Sequence, residues 1–370
     1  MQGLLLFYKP IDWRNKNILY FFQKTFGKDI KVGHSGTLDP FAEGLMVMGL
    51  GRKFTKQLND LLLHSQKEYI AKIEFGKTSD TYDITGKITE FQPEVQPRGI
   101  FEVEPLNINM GKRGKPTPTL SEIKKVIEQE FLGEKIQTPP LYSAKKHKGK
   151  RLRNLAFASA NGKQMSTEEI KAILESKKKN VTLYDFEIIS YEYPFLEIRL
   201  LVSSGYYIRS FGNDLGEKLN TGAYLTELKR TKLGKFSVEN ALFHEDFSSS
   251  HSELVEESLP LSLRGTKQSQ FLSPEPVEGQ KSIELRGEIF GTVQGVGFRY
   301  STKQLADKLT ISGYSKNTEN NSVEFLGQGN LTSIEKFQTE ILNPPAPVEI
   351  SDYQFIIQKP SQIYKNFEIL

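Results

Sequence analysis

Gly33-His34-Ser35-Gly36-Thr37-Leu38-Asp39-Pro40-Phe41-Ala42-Glu43-Gly44-Leu45-Met46-Val47-Met48-Gly49-Leu50-Gly51 is the stretch around which the chain is organised. Its apolar run from Leu45 to Leu50 reads as a buried strand, and glycines and one proline punctuate the polar part before it. A loop built this way presents a single carboxylate, Asp39. Pro40 fixes its own φ and pushes the residue before it towards extended backbone, so Asp39 is aimed. Aiming suits a nucleophile or a general base, although an Asp-Pro pair also makes ordinary turns.

Outward from this loop, residues 3–9 read as a strand that runs into Lys9-Pro10. Ile18, Leu19, Phe21, Phe22 and Phe26 recur at helical spacing over 15–26. Thr55 to Leu63 reads as a helix, and residues 67–76 alternate as a half-buried strand that carries Tyr69. The polar loop Thr78-Ser79-Asp80-Thr81-Tyr82-Asp83-Ile84-Thr85-Gly86 lacks the regular alternation and the terminal glutamate of a calcium site. Residues 92–118 are punctuated by Pro and Gly and read as an extended excursion, and Leu120 to Phe131 as an amphipathic helix. Tyr142 to Arg153 is the most basic segment: seven of its twelve residues are Lys, Arg or His, Lys145 and Lys150 among them. Such residues supply most of the sequence-independent affinity for RNA phosphates, and a solvated charged face is the plainer explanation. An insertion over 158–180 holds a short helix from Thr167 to Glu175. Strands at about 181–192 and 195–203 lead into Ser203-Ser204-Gly205-Tyr206-Tyr207-Ile208-Arg209-Ser210, where Arg209 offers a planar, permanently charged fork for a carboxylate.

The string Gly33 to Pro40, with Ala42, Gly44, Leu45 and the Leu50-Gly51 pair, closely resembles the active-site loop of the bacterial tRNA pseudouridine synthase B family. Tyr207-Ile208-Arg209 resembles a second element of that family, and Leu228, Arg230, Thr231 and Gly234 extend the likeness to about residue 240. The resemblance implies isomerisation of a uridine in the T-loop of tRNA, at position 55, to pseudouridine. It also implies roles: Asp39 as the catalytic carboxylate and Arg209 as its partner, Tyr69 and Tyr207 gripping the base, and His34, Lys145 and Lys150 touching RNA. A base must leave its stack to be gripped in this way. Two departures stand out: Ile11-Asp12-Trp13-Arg14-Asn15 replaces the small turn that usually follows the Lys-Pro, and Tyr206 replaces a threonine.

The net charge of +4 is unevenly spread: residues 1–247 hold 38 Lys and Arg against 30 Asp and Glu, and residues 281–370 hold 9 against 10. A polyanion-binding region followed by a near-neutral one is the expectation. With no cysteine and five scattered histidines, neither disulfides nor a structural zinc is expected; a cytoplasmic protein needing no metal or cofactor fits. No apolar run is long enough for a membrane span. At 370 residues two domains are the default. Ser, Pro and Glu without apolar period mark 248–281 as a flexible linker between a catalytic domain over 1–247 and a second domain over 282–370.

The second domain reads as strand, helix, two strands with a hairpin at Asn320-Asn321, helix, and a final strand ending at Leu370: a ferredoxin-like βαββαβ order. Val293-Gln294-Gly295-Val296-Gly297-Phe298-Arg299, with Gly313 and Asn317, closely resembles acylphosphatase. That likeness implies a phosphate cradle from Gln294, Gly295, Val296, Gly297 and Phe298, with Arg299 and Asn317 catalytic and an acyl phosphate as substrate. The fold class expected overall is α+β: a pseudouridine synthase fold with a mixed, mainly antiparallel sheet, then the ferredoxin-like domain. Two competing readings stand beside these activities, a tRNA-folding factor that acts without turnover and a non-catalytic C-terminal accessory module.

Overall fold

A computed structural model describes residues 1–92, 117–142, 146–147, 150–151, 166–247 and 282–370. Lys145 and the linker expected over 248–281 lie outside the described residues. The chain divides into two compact units, residues 1–63 with 231–370, and residues 64–230. Boundaries drawn at shifts of composition differ from these units because packing follows strands that pair across long stretches of chain.

In the first unit, β1 (Gly3–Lys9) runs antiparallel to β3 (Glu43–Leu50), from Gly3↔Leu50 to Lys9↔Gly44, and β2 (Val32–His34) pairs with β3. All of Gly44 to Leu50 is buried, which is why a continuous apolar run encodes β3. Helix α1 (Asn15–Phe26) buries Ile18, Phe21 and Phe22, and helix α2 (Arg52–His64) follows the loop strand. Phe21 and Phe22 pack on Phe7 and Phe247 with ring centres 5.0–6.1 Å apart. The unusual turn at 11–15 has a packing reason: Trp13, the chain's one tryptophan, is fully buried against Phe7, Phe21 and His244.

The same unit holds β14 (Ile283–Thr292), α6 (Phe298–Lys308), β15 (Ser312–Asn317), β16 (Val323–Gly329), α7 (Leu331–Ile341) and β17 (Glu349–Gln358). Their antiparallel order β15-β16-β14-β17 is the ferredoxin-like βαββαβ arrangement. The sequence reading put its last strand at the C-terminal residues. Instead β17 is the fourth strand, with Phe355 and Ile357 facing the core, and β18 (Phe367–Ile369) adds a short parallel edge beside β15.

β17 also pairs in parallel with β1, at Leu4↔Ile356 and Leu5↔Ile357, so one sheet runs through the loop strand and the ferredoxin-like strands. Ile356 packs against the cluster of Leu6, Leu45, Val47 and Leu58. Lys53 is ion-paired with Asp352 and lies 4.1 Å from the centre of the Tyr353 ring. The backbone N–H of Gln2 donates to Gln338 Oε1 at 2.7 Å, and Gln338 Nε2 donates to the Gln2 carbonyl at 2.6 Å.

The second unit is built on antiparallel neighbours β4 (Lys67–Phe75), β11 (Phe195–Val202), β10 (Lys179–Glu192) and β7 (Gly133–Gln137), with β12 (Ala223–Leu233) flanking β4. Helix α5 (Ile208–Lys218) is almost wholly buried. The expected helix over 120–131 is α3 (Leu120–Val126), capped by Thr119, followed by a wider π turn over Ile127–Phe131. The insertion holds α4 (Thr167–Glu175), capped by Ser166 with Glu169 reaching back. No helix among the described residues is long and apolar enough to cross a membrane.

Candidate active sites

Asp39 is half-buried in the loop that links β2 to β3. Its surroundings are held from both sides. Ser35, fully buried, donates its N–H to the Val47 carbonyl at 2.8 Å and accepts from the Val47 N–H through Oγ at 2.9 Å. The Ala42 N–H closes a turn on the Asp39 carbonyl at 3.1 Å. Below it lies Lys9, whose fully buried ammonium donates to the carbonyls of Pro10 at 2.8 Å, Pro40 at 3.2 Å and Ala42 at 2.5 Å. The Asp12 N–H adds a bond to the Pro40 carbonyl at 2.7 Å. A buried ammonium is tolerated only when its donors are met, and here loop carbonyls meet them, so Lys9 sets the backbone on which Asp39 rides. The sequence reading noted Lys9 only as a retained residue; its role was hidden because carbonyl partners leave no side-chain pattern. His34 lies half-buried on β2, paired by its backbone with Met48.

The second unit gathers Tyr69, Tyr207 and Arg209. Tyr69 is 7% exposed on β4, opposite Leu200. Tyr207 stands at the start of α5, and Arg209, 4% exposed, lies in the first turn. Within this unit the carboxylate that meets Arg209 is Asp83, with Arg209 Nη1 at 3.3 Å from Asp83 Oδ2, both side chains 4% exposed. Arg209 also donates to the carbonyls of Thr81 and Tyr142, each at 2.9 Å. The other Asp83 oxygen accepts from Thr81 Oγ1 at 2.8 Å, the Thr85 N–H at 2.9 Å and Thr85 Oγ1 at 2.5 Å. The polar loop at 78–86 therefore serves to hold a buried carboxylate under Arg209. Sequence reasoning missed Asp83, although its Thr81 and Thr85 hydroxyls at two residues either side were the available signal.

Two partly buried tyrosines, Tyr206 and Tyr82, feel the carboxylates of α5. Burial first, then the charge of Asp214, raises the Tyr206 hydroxyl well above its ordinary value; Tyr82 is raised by burial and by Asp214 and Glu217. Asp214 itself is pushed up to about 6, chiefly by burial. Lys150 pairs by its backbone with His147 in a short antiparallel ladder.

In the C-terminal part, Gly297 caps α6 in left-handed backbone (φ 78°) and Gly295 is left-handed too (φ 74°), conformations that suit glycine. The loop from Gln294 to Phe298 thus opens onto a helix N-terminus, where unmet N–H groups and the helix dipole favour an anion. Gln294 Nε2 donates to the carbonyls of Thr318 at 3.0 Å and Ser322 at 2.8 Å, so the loop and the hairpin carrying Asn317 are tied together. Val296 and Arg299 are half-exposed, Phe298 is buried, and Asn317 is exposed at the end of β15. Arg299 Nη1 donates to the Leu370 carbonyl at 2.8 Å. Among the described residues no cluster of three or more His, Asp or Glu is arranged to hold a metal ion.

Residues 23–105 and 107–208 match the model of the TruB family pseudouridylate synthase (N-terminal domain), and residues 285–369 match the Acylphosphatase model. The chain is 37% identical over 241 residues to tRNA pseudouridine synthase B of Chlamydia abortus, covering 65% of this chain and 86% of that protein. It is 31% identical over 331 residues to the protein of that name from Clostridium tetani, covering 89% and 96%. Among solved structures, it is similar to a Cbf5-Nop10-Gar1 complex (23% identity, 71% of this chain and 58% of that one, TM-score 0.45). It is also similar to acylphosphatase from Bacillus subtilis (28% identity, 24% of this chain and 98% of that one, TM-score 0.23).

Proposed function

Because the chain belongs to the TruB family of pseudouridylate synthases, we propose that it isomerises a uridine in the T-loop of tRNA, at position 55, to pseudouridine, with Asp39 as the reacting carboxylate. The observation that carries this reading is the Asp39 loop, whose carbonyls are gathered by the buried Lys9 ammonium while Ser35 anchors it to β3. A carboxylate held this way meets the substrate without rearranging, which is how positioning lowers a barrier. Uridine leaves its stack and is gripped by Tyr69 and Tyr207; the carboxylate attacks the nucleotide or assists cleavage of the glycosidic bond; the base turns and is rejoined through a ring carbon, which gives up its proton while the freed ring nitrogen gains one. The base is its own leaving group and returning nucleophile, so neither a metal nor a cofactor has a task. His34, Arg209, Lys145 and Lys150 are assigned to substrate binding. Asp39→Asn should bind tRNA with little change, since phosphate contacts dominate affinity, and form no pseudouridine. Turnover by that variant would overturn the assignment, and its binding without turnover separates an isomerase from a tRNA-folding factor.

For the C-terminal domain we propose hydrolysis of acyl phosphates, a reading supported by the Gln294 to Phe298 loop over the start of α6, with Arg299 fixing the phosphate and Asn317 orienting water. Arg299→Ala should lose phosphate binding, and Asn317→Ala should keep binding but lose rate, with benzoyl phosphate as the probe. One observation favours the accessory-module reading beside it: β17 extends the sheet of the Asp39 loop through β1. An intact protein that leaves benzoyl phosphate unhydrolysed would decide for the module.

A further inference from the structure

Lys67 and Tyr69 stand two residues apart on β4, so their side chains leave the strand on the same face. Lys67 is 8% exposed, and its hydrogen-bond partner among the described residues is the Ser204 hydroxyl, at 3.3 Å. The charges that act on it are those of Arg230, 1% exposed, and Lys179, which is exposed on β10. Burial and these two cations lower its pKa to about 8. Lys179 reaches across the turn between β11 and α5, donating to the Ser204 carbonyl at 3.3 Å. A side chain at Gly205 (φ 86°) would come within 2.7 Å of the Lys179 ammonium, so glycine there lets the lysine lie over the turn. Two cations thus meet at one turn, the exposed Lys179 at the Ser204 carbonyl and the buried Lys67 at the Ser204 hydroxyl. A buried ammonium met by one hydroxyl and faced by like charges is a costly arrangement unless an anion completes it.

We propose that Lys67 and Lys179 form a binding site for a backbone phosphodiester of the RNA, next to the nucleotide that Tyr69 grips. The proposal rests on the reading of this chain as an RNA base isomerase. Two residues along a strand span about 6.6 Å, close to the reach from a nucleobase to the phosphate of the same nucleotide. The exposed lysine meets the strand first, and the buried one fixes one phosphate. Fixing the phosphate sets where the sugar and base can go, so the site acts on register as well as affinity.

The test is binding of a T-arm RNA hairpin to the full chain by fluorescence anisotropy, across a series of KCl concentrations. Lys67→Met should weaken binding about tenfold and make the slope of log K against log salt shallower by about 0.7 to 0.9, the signature of one lost phosphate contact. Lys67→Arg should keep the slope, and Lys179→Met should lower affinity about threefold with a smaller change of slope in the same direction. A folded Lys67→Met protein with wild-type slope and affinity would overturn the proposal. If Lys67→Met does not fold, an unchanged slope in Lys179→Met overturns it instead. Pseudouridine formation by the wild type, measured in the same samples, tests the isomerase reading separately.

Discussion

Gln137 and Tyr207 clasp each other: the Gln137 side-chain oxygen accepts from the Tyr207 N–H at 2.8 Å, and its amide nitrogen donates to the Tyr207 carbonyl at 2.9 Å. The last residue of β7 thereby fixes the entry to α5, in whose first turn Arg209 sits two residues further. Gln137→Leu leaves a donor and an acceptor unmet and should cost about 2 kcal/mol of stability, read from urea unfolding. Turnover should fall by about tenfold. Gln137→Glu, which keeps the acceptor and loses the donor, should lie between.

The buried pair of Arg209 and Asp83 should show the asymmetry of desolvated charges. Removing one partner strands the other, so Asp83→Ala should cost about 3 to 5 kcal/mol. Arg209→Lys should also be severe in activity, since an ammonium cannot serve Asp83 and the Thr81 and Tyr142 carbonyls with one planar fork. Wild-type kcat in that variant would show that the fork geometry is dispensable.

Lys9→Met keeps the volume of the side chain and removes the cation beneath the Asp39 loop. The protein should still fold, with kcat lowered about a hundredfold through mispositioning of Asp39 and tRNA affinity changed little. Single-turnover kinetics beside a binding titration separate the two.

The pH dependence of stability should carry the mark of Asp214. Burial raises its carboxyl from 3.8 to about 6, the Asn213 hydrogen bond opposes this, the charge of Glu217 adds to it, and Lys218 opposes it. The folded protein therefore holds this proton more tightly than the unfolded chain. Its contribution is most favourable below 3.8, falls as pH rises towards 6, and is constant above. Wild type should lose on the order of 1 to 2 kcal/mol more than Asp214→Asn between pH 4 and pH 7, in denaturant unfolding at each pH.

Local pattern carried most elements. The helical spacing of Ile18, Phe21 and Phe22 gave α1 its bounds of Asn15–Phe26, and the alternation after Lys67 gave β4. Tyr69, Arg209 and the Asp39 loop stand out in the sequence because their neighbours form long, unusual strings. What stayed hidden depends on partners far along the chain. Asp83 meets Arg209 126 positions on, and Lys9 meets the carbonyls of Pro40 and Ala42 more than 30 positions on. The pairing of β1 with β17 has no local signature at all, because any apolar strand can extend an open sheet edge.

That pairing has a consequence for how the protein is made. Residues Leu4 and Leu5 are synthesised early, while their β17 partners, Ile356 and Ile357, follow about 350 residues later. Leu242 already bonds Leu6 and Tyr8 on this side of β1, but until β17 arrives the Leu4-Leu5 part is an uncovered apolar edge, open to strands of other chains. Contacts of such span form slowly, so expression without residues 282–370 should favour aggregation of a chain whose Asp39 loop is otherwise complete. Supplying residues 282–370 as a separate polypeptide during refolding should restore solubility, and Lys53→Glu, set against Asp352, should weaken that rescue.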